Sequence, residues 1–465
     1  MSKSTYNSVT QKAIFAAIQS VNLPAIKHLL SNNDIDLTVQ TTTELNIPGI
    51  EKMDYTHLTP FSALCVLYKY CPGKHREILD AFDQMFNIFS KSNKYTNPVD
   101  SQGCTEFMWA VSTGNLDLIK KSYELIKQCA NYNVNQQDKS GRTALHMAVQ
   151  NKVEKEIIKY LINVGVTVDL PDCRGRTALF YATSVDDLSE QGNNPQVYLK
   201  LANIPLANEL LEDGASPNIP YHGKYLLSML CEYIWRLKIY IKSTDTKEQL
   251  KYGADIKDCA PIVENLINKI IHSKKFDHTA KDADTGFTAV HWLCELGEKG
   301  PALLQELQKR GADINQGDVS GRSTLNWYSD YNVLSIVKKL LELNKANVNT
   351  QALNGETAVH ALLFNASKIN SPKAKFLTLE LLLNHNNKPP YDPTLTMQGF
   401  TAKGLLQLII TQHGDNEDLN NCSKLLDEYK EWYDEEGVKL SDNWYNEQAA
   451  LLLLGEELAN FNLYE

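Results

Sequence analysis

The sequence predicts an all-α solenoid, a stack of short helix–turn–helix units joined by hairpin loops. Three observations predict it. A glycine-centred frame returns at spacings of 34 and 35 residues (Gly141 to Gly175, Gly286 to Gly321, Gly321 to Gly355). A second pattern, leucines followed by glycine or asparagine, trails the frame. Strand-like alternation is scarce, so no sheet is available to organise the chain.

The frame is clearest at Asp138-Lys139-Ser140-Gly141-Arg142-Thr143-Ala144-Leu145-His146 and at Asp172-Cys173-Arg174-Gly175-Arg176-Thr177-Ala178-Leu179. It returns at Asp284-Thr285-Gly286-Phe287-Thr288-Ala289-Val290-His291, at Asp318-Val319-Ser320-Gly321-Arg322-Ser323 and at Asn354-Gly355-Glu356-Thr357-Ala358-Val359-His360. The trailing pattern is Leu210-Leu211-Glu212-Asp213-Gly214-Ala215, Leu307-Gln308-Lys309-Arg310-Gly311-Ala312-Asp313-Ile314-Asn315 and Leu340-Leu341 through Asn349.

Each position has a physical task. The first glycine supplies the positive φ of a tight hairpin turn. The threonine caps the first helix, and the histidine three residues later reaches the neighbouring loop. Alanines keep the first helix thin, so units stack closely. The leucines pack the second helix on the next unit, and the last glycine stops that helix in a left-handed turn.

These residues resemble the ankyrin repeat, whose unit reads D-x-x-G-x-T-P-L-H-x-A-A and then V-x-x-L-L-x-x-G-A-D-x-N. Alanine stands where the family has proline, a departure that loosens the helix start without changing the fold. Weaker copies begin at Thr59-Pro60, at Asp100 to Ala110 and at Met397 to Ala402, and Ala13 to Leu30 resembles a capping unit. The resemblance covers most of residues 10–412 and implies about nine or ten units. It implies a capping repeat with a loop (1–58), repeats (59–183), degenerate repeats with insertions (184–283), repeats (284–412) and an acidic helical cap (413–465). The insertion at 184–260 has two readings, a padded divergent unit or a partner-binding loop. The stretch 231–241 has a helical pattern, and 40–58 forms a long hairpin loop.

Composition excludes several classes. The 46 basic and 56 acidic residues leave a net charge of −10, against a general nucleic-acid or anionic-membrane binder. Residues 415–465 hold 14 acids and three bases, so the rest of the chain is close to neutral. No long apolar run spans a membrane, and the start lacks the apolar core of a secretory signal. Nine cysteines without a Cys-x-x-Cys suit reduced, mostly buried thiols, with Cys104 and Cys173 expected exposed at hairpin tips.

Chemistry is hard to find. There is no phosphate loop, no dinucleotide fingerprint and no H-E-x-x-H. His146, His291 and His360 occupy the repeat's structural position. His272 and His278 are too far apart for a helical metal pair and read as a solvated loop. No catalytic residue, metal or cofactor is expected. An enzyme, cysteine protease-like or a transferase, remains the competing class; its module would lie in 184–260 or the C-terminal region, with Cys65, Cys71 and Cys231 as nucleophile candidates.

Partner binding is the better reading. In ankyrin proteins partners meet the concave surface of hairpin tips and first helices. The tips here offer Lys139, Arg142, Arg174, Arg176, Phe287, Arg322, Glu356 and Phe400. Arg142, Arg176 and Arg322 share one repeat position, charged either for solubility or as hot spots. Trp292, Trp327 and Tyr328 form a second set, either core or an anchor pocket. Asn315 resembles the sites that an asparaginyl hydroxylase of animal cells modifies in ankyrin repeats, in addition to a loop-stabilising role.

Two helices are expected in the tail, Leu419 to Trp432 as a cap and Asn446 to Phe461. The acidic clusters Asp434-Glu435-Glu436 and Glu456-Glu457, with Leu463 near the end, resemble the export signal of type IV secreted effectors. Together with irregular repeats this resembles the ankyrin-repeat effectors of intracellular (Legionella-like) bacteria. That resemblance implies non-Sec delivery into a host cell, action in host cytoplasm or nucleus as a monomer, and a host protein as partner.

Overall fold

The computed structural model describes residues 12–31, 37, 40–41, 56–91, 97–129, 132–184, 203–243, 260–294, 296, 300–343, 346–364, 372–384, 386–387, 389–413 and 417–434. Much of the expected insertion at 184–260 (185–202 and 244–259, with Cys259), most of the expected 40–58 loop (42–55), the helix at Asn446–Phe461 and the export signal beyond Asp434 lie outside them. The described residues are mostly helical with almost no strand, as expected.

The chain forms two compact units, residues 1–222 with 245–276, and residues 223–244 with 277–465. In unit 1 the helices are α1 (12–19), α2 (Leu23–Leu30), α3 (Pro60–Tyr70), α4 (His75–Lys91), α5 (Glu106–Ser112), α6 (Leu116–Ile126), α7 (Ala144–Gln150), α8 (Lys155–Asn163), α9 (Ala178–Thr183), α10 (Ile204–Glu212) and α12 (260–272). Unit 2 holds α11 (Leu226–Ser243), α13 (Ala289–Cys294), α14 (Gly300–Lys309), α15 (Thr324–Asp330), α16 (Leu334–Glu342), α17 (Ala358–Phe364), α18 (Pro372–Leu382), α19 (Ala402–His413) and α20 (Glu417–Trp432). A two-residue hairpin, β1 (Thr396–Met397) with β2 (Phe400–Thr401), precedes α19.

The odd-numbered helices are the first helices of their repeats, and they pack in rows: α3, α5, α7 and α9 in unit 1, and α11, α13, α15, α17 and α19 in unit 2. They are short and nearly all buried; α5 and α7 expose little beyond Gln150. Small alanines at Ala110, Ala148 and Ala182 allow this approach. The second helices are amphipathic and line the other side, with α14, α16, α18 and α20 in sequence in unit 2. α20 buries Cys422, Leu426 and Tyr429 against α18 and α19, which makes 419–432 the expected cap.

Four hairpins are built by their aspartates, Asp100, Asp138, Asp172 and Asp318. Asp318 Oδ1 accepts from the Ser320 and Arg322 amides at 2.8 and 2.9 Å, and Gly321 completes the turn at φ 74°. A side chain at Gly321 would press on the Leu353 amide, so glycine also permits the next hairpin's approach. Adjacent tips share one backbone bond: Lys139 N to Gln102 O at 2.7 Å, Cys173 N to Ser140 O at 2.9 Å, and Leu353 N to Ser320 O at 2.8 Å. Gly165, Gly214 and Gly311, all near φ 90°, end their second helices as the sequence implies.

Two side-chain ladders join the repeats. The first is the histidine ladder. His146, His291 and His360 face their threonine caps with Nδ1 and the next repeat's carbonyl (Arg176, Arg322, Phe400) with Nε2, at 3.0, 3.3 and 3.1 Å. Asn326 takes the same place with Nδ2 donating to Glu356 O at 2.9 Å. The second ladder uses loop asparagines. Asn135, Asn315 and Asn349 each accept a later repeat's amide (Thr167, Asn347, Asp392) at 2.7 Å.

Two expectations need correction. Cys104 is buried rather than exposed, because its side chain points at Asp138 of the next hairpin. Cys173 is exposed as expected. His278 is not a solvated loop residue; it is half-buried, with Nε2 3.1 Å from Arg310 O.

Candidate interaction surface

At four of the hairpin aspartates the residue nine or ten positions later returns to the carboxylate; at Asp138 that residue is Met147 and no such bond forms. Trp109 donates its indole N–H to Asp100 Oδ2 at 2.9 Å, Tyr181 its hydroxyl to Asp172 Oδ2 at 2.9 Å, Trp292 to Asp282 Oδ2 at 2.6 Å and Trp327 to Asp318 Oδ2 at 2.8 Å. The ring's polar edge is thereby satisfied inside the repeat. Trp292, Trp327 and Tyr181 remain half-buried. A tryptophan or tyrosine at this offset is the sequence signal, and it is readable in hindsight from the aspartate positions.

The expected arginines are braced, not splayed. Arg142 Nε and Nη2 both meet Asp138 Oδ2 at 2.8 Å, and Arg176 grips Asp172 Oδ2 at 3.0 and 2.9 Å. Arg176 also lies over the Tyr181 ring, 4.6 Å from its centroid. Arg322 differs in its partners, while Trp327 donates to Asp318 Oδ2. Its guanidinium reaches forward to Glu356 Oε1 at 2.7 Å and to Asp330 Oδ2 at 2.9 Å, and covers Trp327 at 4.3 Å. These are partly buried guanidinium–carboxylate pairs, so the arginines serve repeat packing first.

Glu356 and Tyr328 are buried, at 8% and 6% exposure, so neither presents a contact surface. Burial raises the Glu356 carboxyl above its ordinary value, and Arg322 opposes that rise. Burial raises Asp282 likewise, against its Ser228 and Trp292 bonds. The imidazoles of His146, His291 and His360 are lowered by burial, His291 to about 4. Lys139 and Arg174 do lie exposed at their tips. Asn315 spends its Oδ1 on the Asn347 amide.

In unit 2 the aromatics form a continuous row. Phe287 stacks on His291 (4.9 Å) and meets Trp292 and Trp327 edge-on at 5.3 and 5.6 Å. Trp327 stacks on Tyr331 at 5.8 Å. Tyr331 is 58% exposed. Along the same hairpins Val319 is 59%, Leu353 83% and Phe400 46% exposed. Sequence reasoning found Phe287, Trp292 and Trp327 but not Tyr331, Val319 or Leu353, which match no charged or aromatic repeat position.

Among the described residues no cluster of histidine, cysteine or acid side chains suits a metal ion, and no helix is long and apolar enough to cross a membrane.

Comparison with known proteins agrees with this geometry. Residues 107–220 match a family model described as ankyrin repeats, in three copies. The B-cell lymphoma 3 protein homolog of Mus musculus is 43% identical over 77 residues, 16% of this chain and 16% of that protein. The match thus spans about a sixth of that relative's length. A structural comparison pairs 70% of this chain with all of the solved ankyrin repeat domain of Bcl-3, described as a unique member of the IkappaB protein family, at 19% identity and a TM-score of 0.36. The matched repeats, together with the hairpins and ladders that join them, give this chain the ankyrin-repeat fold.

Proposed function

We propose that the chain is a non-catalytic protein-binding module whose main contact surface is the aromatic row and apolar tips of unit 2. The exposed run Tyr331, Val319, Leu353 and Phe400 carries this reading. Isolated exposed apolar residues are ordinary, but a run beside half-buried tryptophans on consecutive repeats is the composition of an interface centre. Ankyrin repeats in general are protein-interaction modules. In unit 1, Lys139 and Arg174 lie exposed at their own hairpin tips.

The finer reading is a bacterial effector delivered by a non-Sec route into a host cell, where it holds a host protein as a monomer. The acidic tail and the irregular repeats support it through their resemblance to such effectors. Asparaginyl hydroxylation of Asn315 in that cell is a further part of this proposal.

A photoreactive phenylalanine analogue in place of Tyr331 tests the surface. It should give discrete adducts in a eukaryotic lysate, while the same analogue at exposed Lys338 on the outer helix α16 gives none. Equal labelling at both positions would contradict the reading. For the delivery proposal, a reporter enzyme fused ahead of residues 413–465 should enter host cells only from bacteria with an intact type IV system.

A further inference from the structure

Unit 1 presents a surface of different chemistry. Two hollows, of about 330 and 560 Å³, adjoin there, and Arg142 and Gln150 line both. The first is of mixed character, with an apolar wall of Tyr70, Met108, Trp109 and Met147 facing Lys69, Ser112 and Asn151. The second is lined by Lys152, Arg174 and Arg176 with Tyr181 and Asn203. Its lining carboxylate is Asp172, and Asp138 lies beneath Arg142. Both aspartates are buried, with Oδ1 on hairpin amides and Oδ2 on guanidinium. Five cationic side chains therefore face the groove against two internally engaged carboxylates, in a chain whose body is otherwise near neutral.

We propose that this groove binds an acidic segment of a partner protein. One apolar side chain of that segment sits between Tyr70, Trp109 and Met147, and its carboxylates meet Lys152, Arg174 and Arg176. Charge complementarity selects the acidic residues. Methionine walls adapt to the anchor's shape. The apolar wall of the first hollow favours a peptide over a nucleic acid, whose evenly spaced phosphates would use the cationic second hollow. The proposal rests on the protein-binding reading of the chain but not on the aromatic row of unit 2.

The test is fluorescence anisotropy on the intact chain with pooled short peptides rich in Asp and Glu around a central Leu, Met or Phe. The acidic pool should bind, and raising salt from about 0.05 to 0.5 M should weaken it by about tenfold or more. A pool with Lys for Asp and Glu, and an acidic pool with central Gly, should bind at least about tenfold more weakly. Arg174→Glu and Gln150→Glu alter exposed side chains, and each should weaken the acidic pool several-fold with an unchanged circular dichroism spectrum. Tyr331→Ser should leave this binding intact, which separates it from the unit 2 surface. Failure of the acidic pool to bind, equal binding of the Lys pool, or tighter binding of single-stranded RNA would overturn the proposal. Replacing Asp434, Glu435, Glu436, Glu456 and Glu457 by their amides should change nothing; a gain in peptide binding would assign the groove to the chain's own tail and overturn it too.

Discussion

Replacing His291 by asparagine should remove most of one pH dependence while keeping the tie between repeats. Native His291 is neutral: its Nε2 sits 3.3 Å from Arg322 O, and its Nδ1 faces the Thr288 amide and hydroxyl. Protonation would set an N–H of Nδ1 against the Thr288 amide donor, inside the core. Burial accordingly holds the imidazole at about 4. The unfolded chain takes up that proton near its ordinary value of about 6.5, so stability is full above this value and falls as pH drops towards 4. At about pH 5 the loss attributable to His291 is about 2 kcal/mol relative to about pH 7.5. Asn326 already makes the equivalent bond with Nδ2, so His291→Asn retains the donor without the titration. Urea unfolding, followed by tryptophan fluorescence, reads mainly unit 2, which holds Trp235, Trp292, Trp327, Trp432 and Trp444 against Trp109 alone in unit 1. The wild type should lose about 2 kcal/mol more than the variant between these two pH values. His146 and His360 titrate equally in both proteins and cancel. An equal loss in both would refute the assignment of a neutral, bridging His291.

Arg322→Ala leaves Glu356 buried without its guanidinium and should cost about 2–4 kcal/mol in urea unfolding, whereas Arg174→Ala at an exposed tip should change stability by under about 0.5 kcal/mol. Asn315→Ala removes the acceptor for the Asn347 amide and should cost about 1 kcal/mol, with faster hydrogen exchange at that amide. Iodoacetamide at mildly alkaline pH should label Cys173 before Cys65, Cys104, Cys231 and Cys294, because Cys173 is exposed and the others are buried. For Cys104, burial and the Asp100 and Asp138 charges also raise the thiol well above its usual range.

The fold was legible because the repeat writes its backbone needs into residue types. Gly141 and Gly321 mark turns with positive φ, Thr143 and Ser323 mark helix starts, and His146 marks the loop it reaches. The site was legible only in outline, since its residues answer to partners in other repeats. Arg142 and Arg322 hold the same repeat position. One grips its own aspartate while the other crosses to Glu356 and Asp330. Glu356 stands 34 residues away, so that choice of partner is invisible position by position. Leu353 shows the converse: as one leucine in a leucine-rich chain it carries no signal, yet its place at a tip leaves it exposed.

Braced arginines also dictate how the binding reading is to be tested. Charge reversal at Arg142, Arg176 and Arg322 would break packing along with any contact. The most direct measurement is quantitative affinity capture from eukaryotic lysate with the intact chain and with the variant Tyr331→Ser, Leu353→Ser, Phe400→Ser, each matched for folding by urea midpoint. A partner retained by the intact chain and lost from the variant is the predicted result. A partner held equally by both would contradict the claim that the aromatic row and apolar tips of unit 2 are the contact surface.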